Sequence, residues 1–396
     1  MDVFAGLNPQ QRAAVEAVTG PVCILAGAGS GKTTTITRRI ANQVLTGAFR
    51  PTEILAVTFT DKAAGEMRAR LERLGVRGVQ ARTFHSAALA QLRYFVGDGL
   101  GQVLPSKALL LQPIRRSLPP PFKFRPLGDL ASEIEWAKNR RLTPETYLAS
   151  LGGHEPPIAP DLMVSVFRRY EAQKERQRRI DFEDLLELAI RLYDENGQAA
   201  TTFRDRYRAF TVDEYQDVNL LQQSLLEQWL GGRDELCVVG DDYQAIYSFT
   251  GATPEHLLRM QGHVFRLEEN YRSTPEILEL ANRLVPKLGG AEKVLQATRP
   301  SGEQPVLRAC ETPEAEVARI VAEIAACHRE GVPCEEIAVL YRINSRSEPF
   351  EEALSEAGIP YQVRGGAFLA RPGARGMIRA LRGAGTRPVA IVRDVA

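Results

Sequence analysis

The sequence predicts an α/β fold, in which helices cover both faces of a mostly parallel sheet. Two observations indicate this class. Short apolar runs rich in β-branched residues end at Gly, Asp or Thr, as buried strands of parallel sheets do. Helical patterns follow several of these runs, and such strand–helix alternation is typical of parallel sheets with crossover helices.

We predict a buried strand at each apolar run. The runs are PVCILAG (21–27), EILAVTFT (53–60), FTVDE (210–214), LCVVGD (236–241), FRLEEN (265–270) and IAVLYR (337–342). Helical patterns follow the first two runs, at 33–45 and 62–74. These pairs are the expected repeating unit of the fold.

The strand signal disappears between about 88 and 180, where the pattern is helical apart from a break at 117–126. We therefore predict a helical subdomain at 89–180, inserted into a first α/β domain made of 1–88 and 181–265. A partial second α/β domain is predicted at 266–396. The chain length of 396 residues agrees with two or three domains, at about 150 residues each.

Composition excludes several classes of protein. Hydrophobic residues make up 44% and charged residues 25%, as in ordinary globular proteins, so a disordered or fibrous chain is not expected. The longest apolar runs fall short of the roughly 18–20 residues of a membrane span, and residues 1–10 lack a signal-peptide pattern, so we expect no membrane partner. The net charge is +1, so any nucleic-acid binding must use local grooves.

The cysteine pattern predicts a reducing compartment, and we expect a cytoplasmic protein. The chain has five cysteines, an odd number, and none forms a CxxC pair. This spacing argues against a disulfide framework and a zinc ribbon. Cys327, His328 and Cys334 are close in sequence, but no second pair completes a four-ligand site, so we do not assign them a metal.

A phosphate-binding loop is predicted directly after the first strand. The segment fits the P-loop template, with Ala in place of the first Gly, and it opens a helix. Glycines let backbone N–H groups approach phosphates. Lys32 is expected to contact the β- and γ-phosphates, and the Thr33 hydroxyl to hold Mg²⁺. The predicted nucleotide-binding loop consists of Ala26, Gly27, Ala28, Gly29, Ser30, Gly31, Lys32 and Thr33.

Four further residues suit ATP hydrolysis. Asp213 and Glu214 end the FTVDE strand, where Asp213 is suited to hold Mg²⁺ and Glu214 to deprotonate the attacking water. Gln244 is of a residue type that contacts the γ-phosphate or its water. Arg272 in NYRST is a candidate arginine finger, although an arginine taken alone is more often a solvated surface residue.

On the basis of these residues and the motifs around them, the chain resembles the UvrD/PcrA/Rep group of superfamily 1 DNA helicases. The resemblance covers about residues 6 to 370, and its details are similar to the second UvrD-type helicase of actinobacteria. The motifs follow in family order: LNPQQ (7–11), AGAGSGKT (26–33), TFTDKAAGEMRAR (58–70), TFHS (83–86), DFEDLL (181–186), VDEYQD (212–217), GDDYQAIYSFTGA (240–252), LEENYRST (267–274) and YRINSRSEPFEEALSEAGIPYQVRGG (341–366).

The resemblance implies an ATP- and Mg²⁺-dependent motor that moves 3′ to 5′ on single-stranded DNA and acts at single-strand/duplex junctions in DNA repair or replication upkeep. ATP would lie between two RecA-like domains, with Gln11 reading adenine, Tyr271 stacking on it and Arg272 coming from the second domain. The implied DNA-contacting residues are Thr58, Phe59, Thr60, His85, Tyr247, Phe249, Arg342 and Asn344. Exposed aromatic faces stack on any base, which suits a translocase.

The sequence also departs from the family. Thr34 and Thr250 stand where many relatives carry Arg, and Phe249 replaces a common Trp. Residues 370–381 lack the usual helix pattern, 383–396 match no family block, and the final helicase motifs do not follow. We therefore expect a C-terminally truncated helicase. The alternatives are an ATP- and DNA-binding module without productive unwinding, and the motor part of a helicase–nuclease, for which no carboxylate cluster is visible.

Overall fold

The structure is a computed structural model that describes residues 2–291 and 293–363. It divides into two compact units, one ending at Pro305 and the other beginning at Val306. The strands are β1 (Val22–Ala26), β2 (Ile54–Thr58), β3 (Gln80–Thr83), β4 (Gln102–Val103), β5 (Arg179–Ile180), β6 (Ala209–Val212), β7 (Leu236–Gly240), β8 (His263–Leu267), β9 (Glu269–Asn270) and β10 (Gln296–Ala297).

Helices connect these strands, with short 3-10 turns between some of the elements. They are α1 (Pro9–Glu16), α2 (Lys32–Leu45), α3 (Asp61–Arg73), α4 (Phe84–Phe95), α5 (Ala108–Arg116), α6 (Leu127–Asn139), α7 (Pro160–Arg176), α8 (Phe182–Glu195), α9 (Gly197–Arg206), α10 (Leu220–Leu230), α11 (Glu255–Leu258), α12 (Pro275–Asn282), α13 (Val285–Leu288), α14 (Pro313–Arg329) and α15 (Ser347–Glu356). Among the described residues, none of these helices has both the length and the apolar character needed to cross a membrane.

A six-stranded parallel sheet forms the centre of the first unit, in the order β3-β2-β6-β7-β1-β8. Alternate residues of one strand enter different cores. Leu55 and Val57 of β2 belong to one apolar cluster, and Ile54 and Ala56 to another. Since neighbouring side chains on a strand point to opposite faces, helices must cover both sides of the sheet. The predicted α/β fold with a parallel sheet is confirmed.

The structure differs from the strand predictions at two places near the sheet. β3 was not predicted, because it is an edge strand in which only Ala81 is buried and the apolar signal is weak. The run 265–270 divides into β8 and β9. β8 pairs with β1, so the first compact unit continues past the predicted boundary at 265.

The helical segment after α4 has a core of its own. Helices α5, α6 and α7 enclose an apolar cluster that includes Leu111, Ile134 and Phe167. The short parallel ladder of β4 with β5 closes the segment where the chain leaves and re-enters the α/β unit. At this point Lys138 and Lys174 both contact the buried Asp181, at 2.6 and 3.1 Å. This ion cluster ties the helical segment to the start of α8.

The second unit, described up to residue 363, contains the helices α14 and α15, joined by a segment without strands. α14 and α15 share a small apolar cluster that contains Val321, Ile324 and Phe350. The strand prediction for 337–342 was wrong, because these residues form no ladder within the described part of the unit. Two of their side chains still add to the apolar cluster, since Val339 and Tyr341 pack against it. The sequence departures at 370–381 and 383–396 lie outside the described residues.

Candidate nucleotide and DNA site

The predicted phosphate loop joins the end of β1 to the start of α2. Gly29 and Gly31 have φ values of +69° and +82°, a left-handed conformation that a glycine adopts without steric cost. Gly31 is the N-cap of α2, so the loop ends directly at a helix N-terminus. Backbone N–H groups at such a terminus attract anions. The loop therefore has the backbone geometry expected of a phosphate site.

The Lys32 ammonium is paired with the carboxylate of Glu214. Lys32 Nζ donates to Glu214 Oε2 at 3.0 Å, and only 12% of the lysine side chain is exposed against 40% for the glutamate. Glu214 follows β6, and β1 and β6 are both parallel neighbours of β7. The carboxyl edge of the sheet thus brings the predicted phosphate-binding lysine and the predicted base together.

Asp213 lies beside this pair and is buried. Burial, with a smaller contribution from the charge of Glu214, raises the pKa of Asp213 to about 6. Asp213 Oδ1 accepts a hydrogen bond from the backbone N–H of Glu214 at 3.0 Å. Asp217, four residues further along, is similar: burial raises its pKa to about 6, and its Oδ1 has no hydrogen-bond partner among the residues that the structure describes. A bound cation would compensate these desolvated carboxylates.

The residues present fit Mg²⁺. Mg²⁺ binds through one or two carboxylates, with waters and substrate phosphates completing an oxygen shell. Asp213 supplies a carboxylate, and Thr33, in the first turn of α2, supplies a hydroxyl. Within residues 2–291 and 293–363, no group of three or more His, Cys, Asp or Glu side chains has the arrangement of a metal site. A Mg²⁺ ion here would therefore depend on the phosphates of a nucleotide.

Glu214 has an unusual backbone. Its φ of +50° and ψ of +41° lie in the left-handed region, which costs a residue with a Cβ atom roughly 1–2 kcal/mol. The following turn, Tyr215–Asp217, is held by the backbone hydrogen bond from Asp217 N to Glu214 O at 2.9 Å. Such outliers persist where the surrounding structure over-determines them, and they cluster at functional sites.

A buried glutamine that the sequence analysis missed links two of the predicted motifs. Gln216 is 2% exposed, and its Nε2 donates to Glu214 Oε2 at 3.0 Å. Its Oε1 accepts from the backbone N–H of Asp241 at 2.9 Å. Asp241 Oδ2 in turn accepts from Gln244 Nε2 at 2.6 Å. One chain of hydrogen bonds therefore runs from Glu214 to Gln244, which is itself exposed.

Gln11 is buried and used within the protein. Its backbone N–H and side chain form a capping box with Asn8 at the start of α1, and its Nε2 donates to Ser30 O at 2.9 Å. Asn8 Nδ2 donates to the hydroxyl of Tyr271 at 3.0 Å, and Tyr271 N donates to Gly29 O at 3.0 Å. The predicted adenine-binding residues therefore surround the phosphate loop.

Arg272 approaches the phosphate loop through its backbone and Cβ. A Cβ atom added to Gly29 would lie 2.7 Å from Arg272 Cβ, so the loop needs glycine there for a second reason. Asn270 fixes the approach. Its Nδ2 donates to Ala28 O at 2.5 Å, and its Oδ1 accepts from the backbone N–H of Arg272 at 2.9 Å. The Arg272 side chain is exposed.

The predicted DNA-contacting aromatics divide into two kinds. Tyr247 and Phe249 are 46% and 58% exposed, with ring centroids 5.9 Å apart. Phe59 is half-buried and packs edge-on against Phe84 at 6.4 Å between centroids. Tyr247 and Phe249 therefore offer open faces for stacking, whereas Phe59 also belongs to the core.

The other residues implied by the resemblance either contact neighbouring residues in the first unit or lie in the second unit. Thr58 is buried and donates to Thr60 O at 3.1 Å, and Thr60 caps α3 by accepting from Ala63 N at 3.1 Å. His85, at the start of α4, packs edge-on against Phe182; Arg342 and Asn344 are exposed in the second unit. Burial, aided by the Lys107 charge, lowers the pKa of His85 to about 4.

Comparison with known proteins gives matches along nearly the whole chain. Residues 7–264 match the UvrD/REP helicase N-terminal domain, and residues 265–384 match the UvrD-like helicase C-terminal domain. The ATP-dependent DNA helicase UvrD2 of Mycobacterium tuberculosis (strain ATCC 25618 / H37Rv) is 45% identical over 390 residues, which cover 92% of this chain and 56% of that protein.

Two other relatives are more distant. ATP-dependent DNA helicase UvrD1 of the same strain is 37% identical over 406 residues, covering 95% of this chain and 52% of the relative. ATP-dependent DNA helicase Rep of Escherichia coli (strain K12) is 35% identical over 394 residues, which cover 95% of this chain and 58% of that protein. The chain spans about half the length of the curated relatives it matches. Since the N-terminal domain match alone covers more than half of the chain, the protein belongs to the UvrD/REP helicase family.

Proposed function

We propose that this chain is an ATP-hydrolysing motor that moves 3′ to 5′ along single-stranded DNA and unwinds duplex DNA at single-strand/duplex junctions, in DNA repair or replication upkeep. The observation that carries the proposal is the contact of Lys32 with Glu214 beside the buried Asp213, at the end of a phosphate loop. The relatives of this chain that are named as ATP-dependent DNA helicases support it.

In the proposed reaction, Lys32 binds the β- and γ-phosphates and thereby leaves Glu214. The freed Glu214 carboxylate then accepts a proton from the water that attacks the γ-phosphate. Thr33 and Asp213 would hold Mg²⁺, which would neutralise charge on the phosphates. Gln11 and Tyr271 bind the adenine, Gln244 contacts the γ-phosphate or its water, and Arg272 stabilises the transition-state charge. The support is the closeness of Gln11, Tyr271 and Arg272 to the loop.

On the DNA side, we propose that Tyr247 and Phe249 stack on bases of a single strand. Their exposed rings support this, because base–aromatic stacking contributes roughly 1–3 kcal/mol per base without sequence preference. Phe59, which is half-buried, is proposed to contact the strand beside them. Thr58, Thr60, His85, Arg342 and Asn344 are proposed to act around the DNA backbone or in coupling between the sites.

The domain assignment remains part of the proposal. We propose that 1–88 and 181–265 form a first RecA-like domain, that 89–180 form its inserted helical subdomain, and that 266–396 form a partial second RecA-like domain. The separate apolar core enclosed by α5, α6 and α7 supports the inserted subdomain. The division between the two matched family domains, at 264 and 265, supports the boundary between the motor domains.

A second candidate function is an ATP- and DNA-binding module without productive unwinding. The relatives named as helicases are much longer than this chain, so unwinding needs a test separate from hydrolysis. ATP hydrolysis should be measured with and without single-stranded DNA, beside Lys32→Ala. Strand separation should then be measured on duplexes with 3′ or 5′ single-stranded tails.

Each outcome separates the two candidates. Stimulation by DNA, abolished in Lys32→Ala, with unwinding only of the 3′-tailed duplex, supports the helicase. Binding and hydrolysis without strand separation support the module. A hydrolysis rate equal to that of Lys32→Ala rules out a motor driven from the phosphate loop.

A further inference from the structure

A buried lysine outside the predicted site contacts the segment that carries Gln244. Lys293 has a fully buried side chain, and its Nζ lies 2.7 Å from Asp241 Oδ1. The same ammonium contacts Asp242 Oδ1 and lies 4.3 Å from the ring centroid of Tyr243. Buried charges are normally paired and hydrogen-bonded, and here one ammonium serves two buried carboxylates. Removing it would leave two like charges facing each other in the interior.

The segment around Lys293 is fitted closely onto Asp242 and Tyr243. The backbone N–H of Ala291 donates to Asp242 Oδ2 at 2.8 Å, and the Tyr243 hydroxyl donates to Ala291 O at 2.8 Å. A Cβ atom added to Gly290 would lie 2.2 Å from Asp242 Oδ2. These contacts fix where the lysine enters the cluster, so its ammonium has little freedom to choose another partner.

Through Asp241, the ammonium reaches Gln244. The two oxygens of the Asp241 carboxylate have different partners, since Oδ1 faces Lys293 at 2.7 Å and Oδ2 accepts from Gln244 Nε2 at 2.6 Å. Oδ1 also accepts from the backbone N–H of Tyr243 at 3.2 Å, so the ion pair and this hydrogen bond together hold the carboxylate, which in turn holds the otherwise exposed glutamine amide. Without Lys293, Oδ1 would keep only the weaker backbone hydrogen bond, and Gln244 would be held less firmly in its orientation.

Lys293 is also linked to Arg272 through the short parallel ladder of β9 and β10. The strand β10 follows it and pairs in parallel with β9, which directly precedes Tyr271 and Arg272. Asn270 of β9 holds the backbone of Arg272 and contacts the phosphate loop. One buried side chain therefore lies between the two segments that carry Gln244 and Arg272.

We propose that Lys293 is a positioning residue for ATP hydrolysis, which acts through Asp241 to orient Gln244 toward the γ-phosphate and its water. The proposal rests on the proposed function of the phosphate loop. It assigns Lys293 no contact with the nucleotide. Loss of Lys293 should therefore lower kcat while leaving KM for ATP and the affinity for ADP nearly unchanged.

The test is a double-mutant cycle between Lys293→Met and Gln244→Ala, read out as kcat and KM for DNA-stimulated ATP hydrolysis and as ADP affinity. Lys293→Met alone should lower kcat about tenfold, as expected when a group acting on the transition state is misplaced. In the Gln244→Ala background it should lower kcat less than twofold further, because the residue it orients is gone. The exposed Lys287, in the same segment, gives the matched control Lys287→Met, which should behave as wild type.

A second variant distinguishes a loss of positioning from a loss of folding. Lys293→Met combined with Asp242→Asn removes the excess negative charge but still leaves Asp241 without its ammonium. It should fold, as judged by thermal unfolding, and keep the low kcat of Lys293→Met. The positioning role would be overturned if the effects of Lys293→Met and Gln244→Ala on kcat multiply in the double variant. It would also be overturned if the charge-balanced variant has a normal kcat. Both results require that the wild type still hydrolyses ATP. A wild-type rate equal to that of Lys32→Ala would instead overturn the proposed function itself, and the role of Lys293 with it.

Discussion

Lys32 Nζ and Glu214 Oε2 lie 3.0 Å apart, so the predicted phosphate-binding cation and the predicted base neutralise each other. The γ-phosphate of ATP carries more negative charge than one carboxylate and would compete for the same ammonium. On the proposed mechanism, the arrival of nucleotide would release Glu214 at the step that needs a base. Gln216 holds the same glutamate oxygen at 3.0 Å, so the released side chain keeps one fixed partner.

We expect Glu214→Gln to separate binding from hydrolysis. The glutamine has the same size but cannot accept a proton, so kcat should fall by roughly 10²–10⁴-fold. ATP affinity should change less than fivefold, because Lys32 remains. Steady-state hydrolysis and titration with a fluorescent nucleotide measure the two quantities. Glu66→Gln, on the exposed face of α3, is the control, and a Glu214→Gln rate within threefold of wild type would exclude Glu214 as the base.

The left-handed backbone of Glu214 predicts an unusual order of stabilities. At φ +50°, a glycine avoids a steric cost that alanine retains, so Glu214→Gly should be more stable than Glu214→Ala by about 1 kcal/mol. The opposite order is expected at Glu66, inside α3, where glycine is worse than alanine by roughly 0.5–1 kcal/mol. Urea unfolding of the four variants checks both orders. The same order at both positions would contradict the strained backbone.

The exposed rings of Tyr247 and Phe249 should contribute more to DNA affinity than to folding. We expect Tyr247→Ala and Phe249→Ala each to weaken binding of a single-stranded oligonucleotide by roughly 1–3 kcal/mol, measured by fluorescence anisotropy. The melting temperature should fall by only a few degrees, because about half of each residue is already exposed to solvent. Tyr94→Ala removes another exposed ring and should leave DNA affinity unchanged. An equal loss in Tyr94→Ala would mean that the effect is not local.

His85 should make the protein sensitive to acid. Burial, followed by the charge of Lys107, lowers the pKa of His85 from 6.5 to about 4. Between these values the unfolded chain binds a proton that the folded chain does not, so stability is lost as the pH falls from about 6.5 toward 4. The loss should reach about 1–3 kcal/mol, because the ring keeps some contact with solvent.

Chemical unfolding at pH 7.5, 6.0 and 4.5 checks this expectation for His85. His85→Gln has no imidazole to titrate, so it should lose less stability than wild type on acidification. His263→Gln, at an exposed histidine, provides the comparison for the effect of the substitution itself. Parallel acid profiles for wild type and His85→Gln would show that the ring is protonated equally in the folded and unfolded chains.

The parts of the fold that the sequence predicted correctly are those specified locally. β1 is a five-residue apolar run followed by a glycine-rich turn, and both signals lie within a few residues. β3 went unnoticed because an edge strand with one buried residue carries little apolar signal. The run at 337–342 looked like a strand, but a strand also needs a partner, and pairing is a property of the whole fold.

The site shows the same division between local and distant information. Lys32, Asp213 and Glu214 belong to contiguous motifs, so their spacing pointed to them before their contact was known. Gln216 and Lys293 could not be found in this way, because both act on Asp241, a residue distant from them in sequence. The one sequence signal for Gln216 is its place inside the motif VDEYQD (212–217), whereas Lys293 lies outside the motifs named above.

The fit between Gln216 and Gly240 has an evolutionary consequence. A Cβ atom at Gly240 would lie 2.5 Å from Gln216 Oε1, 2.8 Å from Leu257 Cδ2 and 3.2 Å from the backbone N of Gln216. A residue other than glycine at 240 would therefore have to displace both the Gln216 amide and the Leu257 side chain, and the link from Glu214 to Asp241 would be lost. Lineages that keep this link should therefore keep glycine at position 240.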